Sequence, residues 1–217
     1  MTELSNKDIA ALRVDYSLKT FDETHVLDDP FTQFKVWFKE AMDAEVNEPN
    51  AMTLATVKAN GTPSARIVLL KGLTEHGFTF FTNYQSHKGE QMAANPNVAL
   101  VFCWLELHRQ VRIEGVIEPL SAKENDEYFY SRPLGSQLGA IASPQSKVLH
   151  SRAELEQNYQ LVEQEFANRE PERPEHWGGY TVKPSLIEFW QGRSNRLHDR
   201  FEFTKQGEHW ARHRLAP

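Results

Sequence analysis

The 217-residue chain is short of thiols, of positive charge and of long apolar runs. Cys103 is the single cysteine, which excludes an internal disulfide framework and a thiolate metal site. Its place in the run VALVFCWL predicts a buried, inert thiol. Lys and Arg number 24 against 30 Asp and Glu, a net charge of −6. That balance argues against nonspecific nucleic-acid binding, which needs a net basic face to release counterions from phosphates. No run approaches the roughly 20 apolar residues of a membrane span, and the polar start MTELSNKDIA lacks the apolar stretch of a signal peptide. A cytoplasmic, reducing setting is therefore expected. Neither a GxGxxG turn after a strand nor a GxxxxGK[ST] loop occurs, so dinucleotide-fold and P-loop readings lose their usual support. The nine histidines are scattered without carboxylates at ligand spacing, and no metal site is expected.

What the chain does have is the composition of a folded protein: 40% hydrophobic, 25% charged and 11% aromatic residues. One domain over residues 1–217 is expected, with 1–20 as a mobile N-terminal segment. Helical spacing of Ile9, Leu12 and Tyr16 predicts a first helix. A second follows Asp29 as N-cap and Pro30 at its first position, with Phe34, Phe38 and Met42 on one face. From Ala51 strand signals dominate. AMTLATVK and PSARIVLLKG flank Asn60-Gly61, a pair suited to the positive φ angles of a tight primed hairpin turn. GFTFFTN, NVALVFCWLEL and HRQVRIEGVIEPL supply further strands, with a short polar helix SHKGEQMAA among them.

Ser121 with Glu124, and Ser151 with Glu154, have capping-box spacing. The first pair opens a helix that runs to about Arg132 and is stopped by Pro133; the second opens one with Leu155, Tyr159, Val162 and Phe166 as a buried stripe. GGYTVKPSLIEFWQG and a hairpin around Gly207 return the chain to strands. Six or seven strands joined mostly by hairpins, with helices at the periphery, predict an antiparallel sheet closed into a small split barrel, because closure removes exposed edges.

Four clusters can carry chemistry. Arg66 and Lys71 bracket the apolar run IVLL, whose two faces are both apolar, as in a strand covered by a core on one side and by a ligand or second subunit on the other. Thr82, Ser86 and Lys88 surround a helix start, where free N–H groups favour an anion. Tyr128 and Arg132, four apart on a helix, share a face near Ser136 and suit a phosphate monoester. Last comes EFWQGRSNRLHDRF, where Trp190 offers an aromatic wall and Arg196, His198 and Arg200 alternate, so that an extended chain would project them to one side and Asp199 to the other. Taken singly, these clusters equally fit charged strand ends, an ordinary helix cap, an arginine lying over a core tyrosine, and a solvated loop.

Together, RIVLLKG, FTNYQSHKGEQ, RQVRIEG, YFYSRPLGSQLGA, PQS, WGGY, EFWQGRSNRLHDRF and the terminal RLAP closely resemble the pyridoxine (pyridoxamine) 5′-phosphate oxidase family of FMN split-barrel enzymes, over nearly the whole chain. The resemblance implies that Arg66, Thr82 and Lys88 hold the FMN phosphate and that Ile67, Val68, Leu69 and Lys71 lie along the flavin. It also implies that Phe81, His87, Gln110, Gln145, Ser146, Trp190 and Arg200 complete that site, some from the second subunit of a homodimer. Lys71, Tyr128, Arg132 and Ser136 would grip the substrate phosphate. Arg196 and His198 would cover the pyridine ring as the catalytic pair, and Arg13 to Tyr16 would close over it. The implied reaction oxidises pyridoxine or pyridoxamine 5′-phosphate to pyridoxal 5′-phosphate, with O2 as acceptor and H2O2 as product, and involves neither nucleic acid nor membrane. Two positions depart from the family pattern: His87 stands where Arg is common, and Phe81 where Tyr is frequent. A neutral imidazole contributes less to a phosphate than a guanidinium. Another split-barrel flavin reductase, or a noncatalytic pyridoxal phosphate carrier, remains the alternative.

Overall fold

A computed structural model describes residues 6–12, 15–16 and 18–217. Two helices come first: α1 (Asn6–Ala11) and α2 (Pro30–Asp43). Next are β1 (Ala51–Val57), β2 (Pro63–Leu69), β3 (Gly72–Thr74), β4 (Gly77–Asn83), α3 (His87–Ala94), β5 (Asn97–Trp104) and β6 (Arg109–Pro119). After α4 (Ala122–Ser131), α5 (Leu134–Ala142) and α6 (Arg152–Glu165), the chain ends in β7 (Trp177–Gln191), β8 (Asp199–Gln206) and β9 (His209–Arg214). The sheet order is β2-β1-β5-β6-β7-β4-β3, with β8 pairing β7 and β9 pairing β8. The pairings β1–β2, β1–β5, β3–β4, β4–β7, β7–β8 and β8–β9 are all antiparallel.

The chain divides into two compact units. The first comprises Met1–Pro49, Phe102–Arg112 and Leu186–Pro217, and the second Asn50–Val101 and Ile113–Ser185. Aromatic rings fill the core of the first unit: Phe34, Trp37, Phe102, Trp104, Phe189, Phe201 and Phe203 are all 2% exposed or less. The second is built on the inward residues of its strands, among them Met52, Leu54, Phe78, Phe80, Leu100 and Val182. Alternation explains these lists, because a strand with one covered face buries every second side chain, as β1 does.

Helix starts follow the sequence signals. Asp29 accepts from Thr32 N, Ser86 from Gly89 N, and Ser121 with Glu124 completes a reciprocal capping box. Other expectations need correction. α1 stops at Ala11, Ile9 and Leu12 are exposed, and Tyr16 lies outside the helix, so no buried stripe forms there. On α2 the buried face is Phe31, Phe34, Trp37 and Ala41, whereas Met42 is exposed. α6 has no fully buried residue; its apolar stripe is only half covered. The β1–β2 connection spans residues 58–62 between the paired Val57 and Pro63. Gly61, at φ +83°, is the last residue of a turn that its own N–H closes by donating to Lys58 O, which gives a longer loop than a two-residue primed turn. Pro133 ends α4 as expected but also caps α5, which the sequence reading did not anticipate. Cys103 is exposed rather than buried; desolvation and the neighbouring Glu106 still push its thiol up, away from reactive thiolate.

Candidate functional site

The second unit holds a cavity of about 640 Å³ whose wall includes most of the predicted cofactor and substrate residues. β2 supplies Arg66, Ile67, Val68 and Leu69, and Lys71 follows the strand. The two faces of this strand differ: Ile67 is 64% exposed, whereas Leu70 is buried and Arg66 half-buried. Phe81 and Thr82 come from β4, Lys88 from the first turn of α3, and Gln145 from the loop after α5. Tyr128, Arg132 and Ser136 complete the wall from α4, its C-cap and the start of α5.

At one end, Arg66 is held entirely by neutral acceptors. Its Nη1 donates to Leu54 O at 3.1 Å and Thr56 Oγ1 at 2.6 Å, and its Nη2 to Ser64 Oγ at 2.8 Å and Gln91 Oε1 at 3.3 Å. Lys88 Nζ donates to Ser86 Oγ at 3.1 Å and Gln145 Oε1 at 2.9 Å, and Thr82 Oγ1 donates to the same Gln145 oxygen at 3.5 Å. Burial, and secondarily the charge of Arg66, lower the Lys88 ammonium to about 8. Desolvation lowers Arg66 too. Two desolvated cations with no carboxylate partner among the described residues are an anion site before any ligand arrives, because a buried charge costs free energy until it is paired.

Arg132 forms a second such point. Its Nη1 is buried and has no hydrogen-bond partner among the described residues, and its guanidinium lies 4.6 Å from the Trp177 ring centroid. Phe81 stacks on Tyr128 at 3.8 Å and 19°, and on Trp177 at 5.4 Å and 12°. The aromatic layer therefore fixes the tyrosine that sequence spacing placed beside Arg132. Trp177 was missed as a lining residue; its only sequence signal was the start of WGGY. Gly139, Ala140 and Ser143 were missed because α5 was. His87 and Ser146 do not line the cavity: His87 is exposed at the first position of α3, and Ser146 sits at φ +71° in a turn where Lys147 N donates to Pro144 O.

The remaining described candidates belong to the first unit. Tyr16 packs edge-on against His108, Trp190 and His198 at 4.5, 5.9 and 5.8 Å. Gly192 permits this approach, since a Cβ there would lie 2.8 Å from Tyr16 Cγ. Arg193 N donates to His198 Nδ1 at 3.1 Å, which makes that nitrogen the acceptor and puts the neutral ring's proton on Nε2. Desolvation first, then Arg196 and Arg200, lower the His198 pKa, so the ring is neutral at pH 7. The extended run expected from Arg196 to Arg200 is absent: Ser194–Arg196 is a helical turn with Asn195 and Arg196 at φ +58° and +61°, and β8 begins only at Asp199. Asp199 does point away from Arg200. It is buried and accepts from Phe21 N, Arg193 Nη1 and Arg214 Nη1, which pins the loop at both ends. Gln110 and Trp190 are half-buried on β6 and β7, and Arg200 pairs opposite Trp190. Arg13 lies outside the described residues.

Among the described residues no cluster could hold a metal ion, and no helix is long and apolar enough to cross a membrane. Residues 38–166 match the family model described as pyridoxamine 5′-phosphate oxidase, and 177–217 match the pyridoxine 5′-phosphate oxidase C-terminal dimerisation region. A pyridoxine/pyridoxamine 5′-phosphate oxidase of Cyanothece sp. is 57% identical, covering 96% of this chain and 98% of its own. One from Thermosynechococcus vestitus is 58% identical, covering 96% and 99%. Among solved structures, PhzG from Burkholderia lata, in complex with tetrahydrophenazine-1-carboxylic acid, has a TM-score of 0.86 at 29% identity, covering 93% of this chain and all of that one. A pyridoxamine 5′-phosphate oxidase-related, FMN binding protein from Nostoc punctiforme has a TM-score of 0.71 at 15% identity, covering 88% and 100%, a likeness of fold. The fold class is thus the antiparallel split barrel with peripheral helices, and the chain belongs to the pyridoxine/pyridoxamine 5′-phosphate oxidase family of enzymes.

Proposed function

We propose that this protein is an FMN-dependent oxidase that converts pyridoxine 5′-phosphate and pyridoxamine 5′-phosphate to pyridoxal 5′-phosphate. The observation that carries the reading is the pair of unpaired cation sites in one cavity, Arg66 with Lys88 and Arg132 beside Tyr128. Two phosphorylated ligands, a flavin mononucleotide and a pyridoxyl phosphate, account for both. The residues present fit that cofactor: the donors around Arg66, Lys88 and Thr82 suit a phosphate, and the exposed apolar Ile67 and its strand neighbours suit a flat ring.

When bound, FMN would supply the two-electron acceptor for hydride loss from the substrate C4′ carbon, with O2 as the final acceptor giving H2O2; the imine formed from the pyridoxamine ester would take up water and release ammonia to give the aldehyde. The chain's own residues bind and orient. Arg66, Lys88 and Thr82 take the cofactor phosphate, and Gln145, which now neutralises no charge, yields the Lys88 ammonium to it. Lys71, Tyr128, Arg132 and Ser136 take the substrate phosphate. Arg196 and His198 position the pyridine ring, His198 as a neutral Nε2–H donor rather than as an acid, because Arg193 occupies Nδ1. Gln110, Trp190 and Arg200 complete the flavin site, with a second copy of the chain in a homodimer contributing part of the set; the match of 177–217 to a dimerisation region supports that assembly. The enzyme works in the cytoplasm.

The test is turnover of each phosphate ester by purified protein whose released flavin is identified by mass. Aldehyde and H2O2 in equal amounts with bound FMN are expected. Stoichiometric FAD, or protein that binds pyridoxal phosphate without turnover, would overturn the reading in favour of another flavoprotein or a carrier.

A further inference from the structure

Glu188 is the most deeply buried acidic side chain of the first unit's ion pairs, 3% exposed, and it lies between two arginines. Its Oε1 accepts from Arg200 Nε at 2.7 Å; its Oε2 accepts from Arg112 Nε at 3.0 Å and Nη2 at 2.7 Å. Strand parity explains the grouping. Gln110 and Arg112 on β6, Glu188 and Trp190 on β7, and Arg200 and Glu202 on β8 alternate with the buried Val111, Phe189, Phe201 and Phe203. Register sets Glu188 opposite Glu202 and Trp190 opposite Arg200. The carboxylate therefore sits one strand pair from two residues assigned to the flavin.

Arg200 is fixed twice: Nε by Glu188, and Nη1 by Ala216 O at 2.8 Å. Its Nη2 has no partner among the described residues, which leaves that nitrogen to meet a ligand. A free arginine side chain has about 2 kcal/mol of rotamer entropy to lose on binding, and anchoring it beforehand removes that loss. We propose that Glu188 is a positioning residue of the flavin site, which touches no ligand itself and acts by aiming Arg200 Nη2. The inference rests on the reading that Arg200 faces the flavin.

Geometry and net charge predict opposite signs here. Removing a buried negative charge raises the local positive potential and would tighten an anionic cofactor, whereas removing an anchor frees Arg200 and weakens it. The experiment titrates apoprotein with FMN by quenching of flavin fluorescence, for wild type, Glu188→Gln, Arg200→Gln and the double variant, with the apoprotein melting temperature measured in parallel. Expected are an approximately tenfold weaker FMN affinity in Glu188→Gln, a loss at least as large in Arg200→Gln, and no further loss in the double variant. An unchanged or tighter affinity in Glu188→Gln while Arg200→Gln weakens binding overturns the positioning role alone. An unchanged affinity in Arg200→Gln overturns the placement of Arg200 at the flavin, and the proposal with it. If Glu188→Gln does not fold, Glu188→Asp decides the matter. It keeps the charge but withdraws the carboxylate by one methylene, so weaker FMN binding at a wild-type melting temperature supports positioning and unchanged binding refutes it.

Discussion

Replacing Arg132 by Ala separates the two anion sites. In the free protein this guanidinium has a buried Nη1 with no partner among the described residues and lies 4.6 Å over Trp177. An unsatisfied buried donor costs about 1–3 kcal/mol, and a cation–π contact returns about 0.5–2 kcal/mol. The two nearly cancel, so Arg132→Ala should change folding stability by less than about 1 kcal/mol. Binding is different. A phosphate that pairs the orphaned nitrogen gains a charge-assisted hydrogen bond of about 1.5–3 kcal/mol, which corresponds to roughly 10- to 150-fold in affinity. The variant should therefore raise KM for pyridoxamine 5′-phosphate by that factor while keeping its flavin. Steady-state kinetics, with flavin content and melting temperature read on the same sample, check all three quantities. Loss of flavin at an unchanged KM would instead assign Arg132 to the cofactor phosphate and overturn its placement at the substrate.

The remaining predictions concern Lys88 and the loop before β8. Lys88 binds an anion as ammonium, and in the free protein its pKa is lowered to about 8. Binding above that pH requires proton uptake, so FMN affinity should fall only about twofold between pH 7 and 8, where the FMN phosphate is already dianionic, and by up to about tenfold per pH unit above 8. Fluorescence titration from pH 7 to 9.5 measures it, and Lys88→Met should abolish the slope. Arg196→Leu and His198→Leu should each lower kcat/KM by on the order of 100-fold with flavin retained, since a misplacement of about 1 Å at the reacting atoms is enough. Wild-type turnover in both would make the segment a solvated loop. Gly192→Ala should displace Tyr16, whose Cγ would lie 2.8 Å from the new Cβ, and raise KM without loss of flavin; unchanged kinetics would remove Tyr16 from the substrate site.

Strands and caps were legible in the sequence because their signals are local. Alternation marked β6, hairpin patterns and apolar runs marked β1, β2, β4, β5 and β7 to β9, and Asp29, Ser86, Ser121 and Ser151 cap the helices they announce. α5 was not legible: LGSQLGAIA begins after a helix-stopping proline and carries two glycines. β3 is three residues long, too short for a period. The half-covered stripe of α6 shows the limit of periodicity, which gives the apolar face of a helix but not how much covers it. At the site, β2, β4 and α3 were found because charged residues stood out against apolar strands. Trp177, Gln91 and Glu188 were not, since their contacts to Arg132, Arg66 and Arg200 join residues 45, 25 and 12 positions apart, and no local pattern marks them. The left-handed Asn195 and Arg196 likewise broke an alternation that the sequence alone makes look extended.

In the proposed reaction the bound flavin accepts electrons from a pyridoxyl phosphate. Anaerobic mixing of the purified protein with pyridoxamine 5′-phosphate, followed at the visible flavin band, tests it most directly. Bleaching by the substrate alone and recovery on admission of O2, with one H2O2 per aldehyde, are expected. A flavin that stays oxidised with the phosphate ester and bleaches only with a reduced nicotinamide would contradict it.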